Sequence, residues 1–469
     1  MNLSQLSATI RKKELSPVEV VEQTLEKINN ENKKYNAFIT ISSEKALKSA
    51  RDLEDELMKG KIRGPLHGIP VAVKDLIYTK GIRTTMGSKV YENFVPNVDA
   101  TVIRKLKRAG AVIIGKTHTH EFAYGTIGDR SYFGPCYNPY NPEKITGGSS
   151  SGSAAAVAAG LVSAALGTDT SGSVRIPSSA CGTVGMKPTF GLVSKSNVFP
   201  LAYTLDHIGP MTKNVQDNAL LLNIIAGYDP EDPYSTDVKT EDYSARIGMD
   251  IRGKAVGIPT DDYFAPFEEE IKTAVEECLQ QLENLGATVK KVNLPVIEEI
   301  AVAQTVTLTS EAAAVHAEKF KEYKGMIDDE VYERLKTSQN TKGYEYVAVQ
   351  RNKRNLINQF NRIFEDVDIL LIPTLPILPT NIGQREVNIN NKKIKVRESL
   401  LKLTAPTNFT GNPSLSIPCK FSKNGLPIGV QLVGKHYHEA ILYQFAHVLE
   451  EAMMFSRKAK ALKNKFPIE

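Results

Sequence analysis

Helical segments alternate with short, continuously apolar segments along most of this chain, and a glycine often separates the two. The pattern is clear where "DATVIRKLKRAG" precedes "AVIIG", and it recurs in "AAAVAAGLVSAALG" and "EEEIKTAVEECLQQLENLGATVKKV". A continuously apolar strand must be covered on both faces of its sheet. Helices between such strands supply that cover. The alternation therefore predicts an α/β fold with a parallel or mixed sheet between two layers of helices.

The same alternation favours a single domain over residues 1–469. A chain of this length has room for two or three domains, and the polar segment 228–250 could mark a boundary, but the alternation resumes unchanged after it. We expect residues 1–60 to form a helical lead-in to the domain. Ser16 and Glu19 within it have the spacing of a capping box, which begins a helix.

The composition gives no sign of a nucleic-acid or membrane partner. The net charge is only +5 over 469 residues, and no apolar run approaches the ~18–20 residues of a membrane span. Cys136, Cys181, Cys278 and Cys419 are far apart, which argues against a zinc site and a disulfide framework. The first residues, "MNLSQLSATIRKKELSP", lack the apolar region of a signal peptide. We therefore expect a cytoplasmic protein with no metal.

One stretch is much richer in small residues than folding requires. Residues 147–183 contain seven Gly and nine Ser and begin "GGSSSGSAAAVAAG". A flexible linker would lack the helix-forming density of "SAAAVAAGLVSAAL". A phosphate loop would place Lys and then Ser or Thr after its last glycine. Here Gly152 is followed by Ser and Ala, and no basic residue lies between Lys144 and Arg175. The remaining hypothesis is that some of these hydroxyls take part in catalysis.

A serine nucleophile needs a neighbouring base. "GSSSG" has the letters of a nucleophile elbow around Ser150, but a polar segment precedes it instead of an apolar strand, so we interpret it as a chance match. We expect His118 and His120 to have a structural or surface role. Lys74 ends the apolar segment "IPVAVK", where burial would lower the pKa of its amine and provide a base. The residues alone favour a solvent-exposed Lys74 over a catalytic one.

Three longer motifs resemble those of the amidase-signature family. They are "HGIPVAVKD" at 67–75, "GGSSSGSAAAVAAGLV" at 147–162 and "GTDTSGSVRIPSSACGTVGMKPTFG" at 167–191. "TVIRKLKRAGAVIIGKT" and "GLPIGVQLVGKHY" extend the resemblance, which covers most of the chain and is weakest at about 228–365. It implies an α/β fold with a large mixed β-sheet covered by helices on both faces, and it implies amidase activity.

The resemblance also implies a Ser–cisSer–Lys triad. Ser173 would be the nucleophile, Ser149 would relay its proton through a cis-peptide turn, and Lys74 would be the base. The oxyanion hole would consist of backbone N–H groups, from Thr170, Ser171, Gly172 and Ser173. A carboxylic amide would be cleaved through an acyl-serine to carboxylate and ammonia or an amine, without a cofactor. Asp169 and Arg175 flank the nucleophile, and we expect them to pair and hold this loop.

Two serines depart from the family's commonest pattern. Ser151 and Ser171 stand where "GGSSGGS" and "GTDTGGS" have glycine. A position that needs a positive backbone torsion suits serine less well than glycine. Ser171 would also narrow the site, so we expect an effect on substrate choice and not on the triad. Ser150, Ser151 and Ser153 are predicted to be turn and helix-cap residues.

The substrate and the partners are less constrained by the sequence. Phe122, Tyr124 and Gly125 are predicted to line the substrate pocket. The family includes stand-alone amidases and the A subunit of the glutamine-dependent Asp/Glu-tRNA amidotransferase, which grips glutamine with an arginine and an aspartate. Our alignment places Arg354 at that arginine and Leu401 at that aspartate, and a leucine cannot hold an ammonium group. We therefore favour a stand-alone amidase for a small-molecule amide, as a monomer or homodimer; the alternative is an A subunit with partner subunits.

Overall fold

Eleven strands form one large sheet, and two pairs of strands lie outside it. The computed structural model describes residues 2–389 and 391–455. The strands are β1 (Phe38–Ile41), β2 (Pro70–Lys74), β3 (Val112–Thr117), β4 (Tyr137–Asn138), β5 (Asn141–Ile145), β6 (Ala164–Asp169), β7 (Val184–Lys187), β8 (His207–Thr212), β9 (Ala255–Pro259), β10 (Thr288–Val292), β11 (Ile369–Pro373), β12 (Glu386–Ile389), β13 (Lys392–Lys395), β14 (Ser414–Phe421) and β15 (Pro427–Gly434). Strand order in the large sheet is β1-β3-β2-β6-β8-β7-β14-β15-β11-β9-β10.

Fourteen α-helices accompany these strands in the described residues. They are α1 (Leu3–Arg11), α2 (Pro17–Tyr35), α3 (Ser43–Met58), α4 (Thr101–Arg108), α5 (Ser151–Ala159), α6 (Arg175–Cys181), α7 (Val215–Ile225), α8 (Glu269–Asn284), α9 (Ile297–His316), α10 (Asp329–Ser338), α11 (Gly343–Asn361), α12 (Val396–Lys402), α13 (Pro406–Thr410) and α14 (Glu439–Met453). None of the helices in this part of the chain is long and apolar enough to cross a membrane.

The sheet is mixed, as the resemblance implies. β2 runs parallel to β3 and β6, and β9 runs parallel to β10 and β11. The central strands between these two groups are antiparallel to their neighbours. Every residue of β2, β3, β6 and β8 is buried, because helices pack on both faces of these apolar strands. The predicted α/β class is therefore confirmed.

The lead-in is not purely helical, which corrects the prediction for residues 1–60. Ser16 and Glu19 form the expected capping box at the start of α2. That helix ends at Asn36, whose left-handed conformation (φ 47°) turns the chain into β1. β1 then pairs antiparallel with β3 at the edge of the large sheet. Its four residues, "FITI", are too few to give a clear strand pattern, so the helices on either side dominate the sequence signal.

The sheet brings two distant segments to one edge. β2 and β6 are neighbouring parallel strands, with Val73 opposite Leu166. Their carboxyl ends therefore lie side by side, and these ends carry Lys74 and the Thr168-Asp169 pair. Ligands and catalytic groups in open α/β sheets gather at such carboxyl ends. The Ser-rich turn before α5 and the loop after β6 meet at the same edge.

Candidate active site

The amine of Lys74 is buried between two hydroxyl groups. Its Nζ donates to Ser149 Oγ and to Thr168 Oγ1, each at 2.7 Å, and the lysine side chain has no exposed surface. Burial lowers the pKa of Lys74 to about 7, although the carboxylates of Asp169 and Asp206 act in the opposite direction. A substantial fraction of this amine is therefore neutral near neutral pH and can accept a proton.

Ser149 follows a cis peptide bond, Gly148–Ser149, as the resemblance implies. Glycine on the other side of that bond avoids a tight contact, because a Cβ on Gly148 would lie 3.0 Å from the backbone nitrogen of Gly128. The carbonyl of Ser149 accepts the N–H of His120 at 3.1 Å. These contacts hold the Ser149 hydroxyl beside Lys74.

Ser173 lies in the loop that leads from β6 to α6 and is 4% exposed. Its carbonyl accepts the N–H of Ser150 at 3.2 Å, which joins the two serine segments. The preceding Gly172 has φ +125°, and a Cβ there would overlap Thr404 Oγ1. The loop conformation thus requires glycine at 172. The structure brings the three predicted triad residues to one site.

A fully buried ion pair holds the loop, as expected. The guanidinium of Arg175 donates to both carboxylate oxygens of Asp169 at 3.1 Å, and neither side chain is exposed. Asn408 donates to the same carboxylate at 2.8 Å. Burial alone would raise the pKa of Asp169, but the charge and hydrogen bonds of Arg175 hold it below its usual range. The carboxylate therefore stays ionised and fixes the loop.

One of the four predicted oxyanion donors is already used. The N–H of Gly172 donates to Asp169 Oδ1 at 2.7 Å. The N–H groups of Thr170, Ser171 and Ser173 donate to no protein acceptor within residues 2–389 and 391–455. Three N–H groups of this loop are thus available for a ligand oxygen, and the fourth shapes the loop.

The capping prediction is right for the position of Ser150, which is the N-cap residue of α5, and wrong for the serine hydroxyls, which connect secondary-structure elements instead. Ser150 precedes α5, but its hydroxyl bonds the backbone of Thr168 on β6 and not the helix. Ser153 donates to the carbonyl of Leu166, also on β6. A cap would need an N–H of the first helical turn as donor. Neither Ser151 nor Ser171 has a positive φ, so serine is not strained at these positions.

The predicted pocket residues 122–125 lie beside the site, with their side chains mostly in the core. Phe122 is fully buried and stacks with Phe199 and Tyr323, at centroid distances of 5.9 and 5.3 Å. The hydroxyl of Tyr124, which is 2% exposed, hydrogen-bonds Ser338 at 2.7 Å. A Cβ on Gly125 would overlap the ring of His120. A role of this segment in binding substrate would therefore depend mainly on its backbone.

The two histidines of "GKTHTHEF" are structural. His118 and His120 are 0% and 2% exposed. Burial lowers the pKa of His118 to about 4 and that of His120 well below its usual value, so both are neutral. His118 Nε2 donates to the carbonyl of Gly134 at 2.8 Å. Their interior position agrees with the structural alternative and not with a surface one.

Sequence reasoning missed two arginines, Arg334 and Arg397, the first of which contacts the predicted pocket segment 122–125. Arg334 donates to the carbonyl of Tyr124. Burial, and to a smaller extent the charge of Arg397, lower the pKa of Arg334 to about 10. Arg397 Nε is buried and has no partner among the described residues. Arg354, by contrast, is exposed on α11.

Comparison with known proteins agrees with this geometry. The profile of the Amidase family matches residues 19–442. The A subunit of the glutamyl-tRNA(Gln) amidotransferase is 37% identical in Halothermothrix orenii and 38% identical in Geobacillus thermodenitrificans. Each alignment covers 98% of this chain and 99% of the relative.

Solved structures of similar fold have several activities. A bacterial aryl acylamidase of the amidase-signature family has a TM-score of 0.90 and 28% identity, and 98% of each chain is covered. The A subunit of the Thermotoga maritima glutamyl-tRNA(Gln) amidotransferase has a TM-score of 0.82 and 33% identity, covering 96% of this chain and 94% of its own. The chain therefore belongs to the amidase-signature family and is an amide-hydrolysing enzyme.

Proposed function

We propose that this chain is a stand-alone amidase in which Ser173 is the nucleophile, Ser149 the proton relay and Lys74 the base. The observation that carries the proposal is the buried amine of Lys74. Its pKa is lowered to about 7, and it is held 2.7 Å from Ser149 Oγ at the edge where the Ser173 loop begins. A base is most effective when its pKa lies near the working pH.

The geometry supports a definite orientation for the base. A neutral amine has two N–H groups and one lone pair. When one N–H donates to Thr168 Oγ1, the lone pair can face Ser149 Oγ. Lys74 then takes the proton of Ser149 as Ser149 takes that of Ser173, and Ser173 Oγ forms a bond to the amide carbon. The C–N bond breaks as the relay returns a proton to nitrogen, and water then hydrolyses the ester.

The oxyanion would form next to the N–H groups of Thr170, Ser171 and Ser173. Gly172 would act indirectly, because its N–H holds the Asp169 carboxylate. Each donor aimed at the developing charge typically lowers the barrier by roughly 3 kcal/mol.

The second candidate is the A subunit of an amidotransferase, which the named relatives favour. A glutaminase must bind the carboxylate and the ammonium of glutamine. Arg354, which our alignment assigned to the carboxylate, is exposed, and the partly buried Leu401 offers no charge. Arg334 already pairs with Glu330 and donates to the carbonyl of Tyr124. Arg397 Nε, by contrast, has no partner among the described residues, so amides that carry a carboxylate belong among the substrates tested. For the stand-alone enzyme we propose a cytoplasmic monomer or homodimer.

The test is ammonia or amine release by the purified chain alone. The substrates are aliphatic amides, aromatic amides, carboxylate-bearing amides and glutamine, and Ser173→Ala is the control. Turnover by the wild-type chain that disappears in Ser173→Ala supports the stand-alone amidase. If the chain alone released no ammonia or amine from any amide, and activity appeared only when partner subunits and charged tRNA were added, the amidotransferase would replace the stand-alone amidase as the function.

A further inference from the structure

A mainly apolar cavity of about 360 Å³ reaches Thr168, the hydrogen-bond partner of Lys74. Its walls include five apolar side chains: Leu76, Val198, Phe199, Leu201 and Ile208. The cavity opens to solvent near Tyr203, which is 44% exposed. Its volume is within the range of pockets that bind small molecules. Of the predicted pocket segment 122–125, only Ala123 lines this cavity. The proposed mechanism places no part of the substrate in it.

The inner end of the cavity borders the reaction centre at two threonines. Thr168 is the residue whose Oγ1 accepts from Lys74 Nζ at 2.7 Å. Thr170 provides one of the free loop N–H groups, and its hydroxyl donates to Asp206 Oδ1 at 2.6 Å. Gln304 and Thr404, which contact Ser171, lie outside the cavity lining. The cavity therefore adjoins the lysine end of the site.

The position of the cavity determines which part of the substrate can reach it. In acyl transfer the base that deprotonates the nucleophile later protonates the leaving nitrogen, so the leaving group must face the base. Here that side is occupied by Ser149, Lys74 and Thr168. A substituent on the leaving nitrogen that extended past Thr168 and Thr170 would enter the cavity, and the acyl group would then extend away from Lys74.

The charged side chains of the lining already have partners. Lys195 Nζ donates to the carbonyl of Tyr203, Glu231 pairs with Arg104, and Asp232 accepts the N–H groups of Lys195 and Tyr234. Asp206 accepts the Thr170 hydroxyl with one oxygen and the N–H groups of Leu201 and Ala202 with the other. His207 Nδ1 donates to the carbonyl of Leu205 at 2.7 Å. A ligand in the inner part of the cavity thus meets mostly apolar surface, and an apolar group gains free energy by leaving water there.

We propose that this cavity binds the nitrogen substituent of a secondary amide, and that the substituent is apolar, such as an aryl or branched alkyl group. The inference rests on the proposed amidase function and narrows it. Ser173 Oγ forms the ester, the C–N bond breaks, and the nitrogen receives its proton through Ser149 and leaves as a primary amine such as aniline. The preferred product is then an organic amine and not ammonia.

The test uses two substrates with the same acyl group, a primary amide and its anilide. Val198→Trp would fill the cavity from a partly exposed loop, and Leu201→Phe is a second, milder filling variant. Val347→Trp is the matched control, because Val347 is 64% exposed and lies outside the lining. Unchanged Tm values verify that each variant is folded.

We expect the wild-type enzyme to prefer the anilide. We expect Val198→Trp to lower kcat/KM for the anilide at least tenfold and to leave the primary amide within about twofold. Aniline should inhibit hydrolysis of the primary amide by the wild-type enzyme, and Val198→Trp should relieve that inhibition. Val347→Trp should change none of these values.

Two results would overturn the inference while leaving the amidase function intact. One is an equal loss for both substrates in the filling variants, which would assign the cavity to the acyl group or to stability. The other is an unchanged anilide rate with the cavity filled in both variants. If the wild-type chain cleaved neither substrate and no other amide, the proposed function itself would fail.

Discussion

Lys74 Nζ lies 2.7 Å from Ser149 Oγ, although the two residues are 75 positions apart in the chain. The parallel pairing of β2 with β6 brings Lys74 to the edge of the sheet where the Ser-rich turn packs. Both groups are fully buried, so the amine depends on hydroxyl partners instead of water. The first two predictions depend on this buried amine and its hydroxyl partners.

The first prediction concerns pH. Because burial lowers the pKa of Lys74 to about 7, the neutral, basic form increases as pH rises through 7, and kcat/KM should rise with it and level off above about pH 8. Lys74→Arg keeps a positive charge at every accessible pH, so it should lose activity by about a thousandfold or more with no recovery at high pH. A wild-type rate that is flat between pH 5 and 9 would contradict Lys74 as the base.

The second prediction tests Thr168 as a positioning residue. Thr168→Val removes an acceptor from Lys74 Nζ with little change in shape. The charged amine loses more stabilisation than the neutral amine, because hydrogen bonds to charged groups are stronger. The pKa of Lys74 should therefore fall. The acid limb of the pH–rate profile should move down by about one pH unit, and kcat should fall at the plateau. A lower rate with an unshifted limb would indicate a purely structural threonine.

The third prediction concerns the buried ion pair. Arg175→Met leaves the Asp169 carboxylate buried without its guanidinium, and such a change typically costs about 3–5 kcal/mol of unfolding free energy. Urea unfolding measures this cost. The control is Arg104→Met at the partly exposed Arg104–Glu231 pair, which should cost about 1 kcal/mol or less.

The same ion pair has a pH signature. The pKa of Asp169 is lower in the folded chain than its usual value, so its stabilisation is complete above the unfolded-state value of about 3.9 and decreases as pH falls below it. Without the guanidinium, burial raises the pKa of Asp169 in Arg175→Met above this value, so the stability difference between the wild type and the variant should already narrow as pH falls toward 4 and continue to narrow below it. A difference that is constant down to pH 3 would argue against an ionised Asp169.

The fourth prediction concerns the nucleophile loop. Gly172→Ala places a Cβ against Thr404 Oγ1 at a φ of +125°. We expect a loss of stability of about 2 kcal/mol or more and a drop in kcat of about a hundredfold, because the neighbouring N–H donors move. Gly253→Ala is the matched control: its φ is also positive, at +76°, but open space surrounds it. Equal effects of the two variants would contradict a special role for Gly172.

Much of the fold follows from local patterns in the sequence. Helices such as α3 and strands such as β2 have clear periodicity and end signals, and the Asp169–Arg175 pair lies within seven residues of one loop. β1 is not predicted, because its four residues are too few to show a strand pattern between two helices with clear periodicity. The local pattern makes Lys74 a candidate base, and the family resemblance predicts its triad with Ser149 and Ser173.

The remaining parts of the site depend on long-range packing. Thr168 is 94 residues from Lys74, and Gln304, which donates to Ser171 Oγ at 2.6 Å, is 133 residues from that serine. Neither contact has a signal in the spacing of residue types. Ser150 at the start of α5 and Ser153 in its first turn have the letters of a cap, yet they bond to β6 because the helix start packs directly on that strand. Sequence periodicity indicates which residues are buried and not which partner they meet.

The most direct test of the account is to locate the covalent intermediate. Wild-type enzyme is treated with an alkyl fluorophosphonate, which reacts with activated serines, and the adduct is mapped by peptide mass spectrometry. We predict a single adduct on Ser173 that is absent in Ser173→Ala and forms far more slowly in Lys74→Ala. An adduct on Ser149 or Ser150, or labelling that does not depend on Lys74, would contradict the proposed triad.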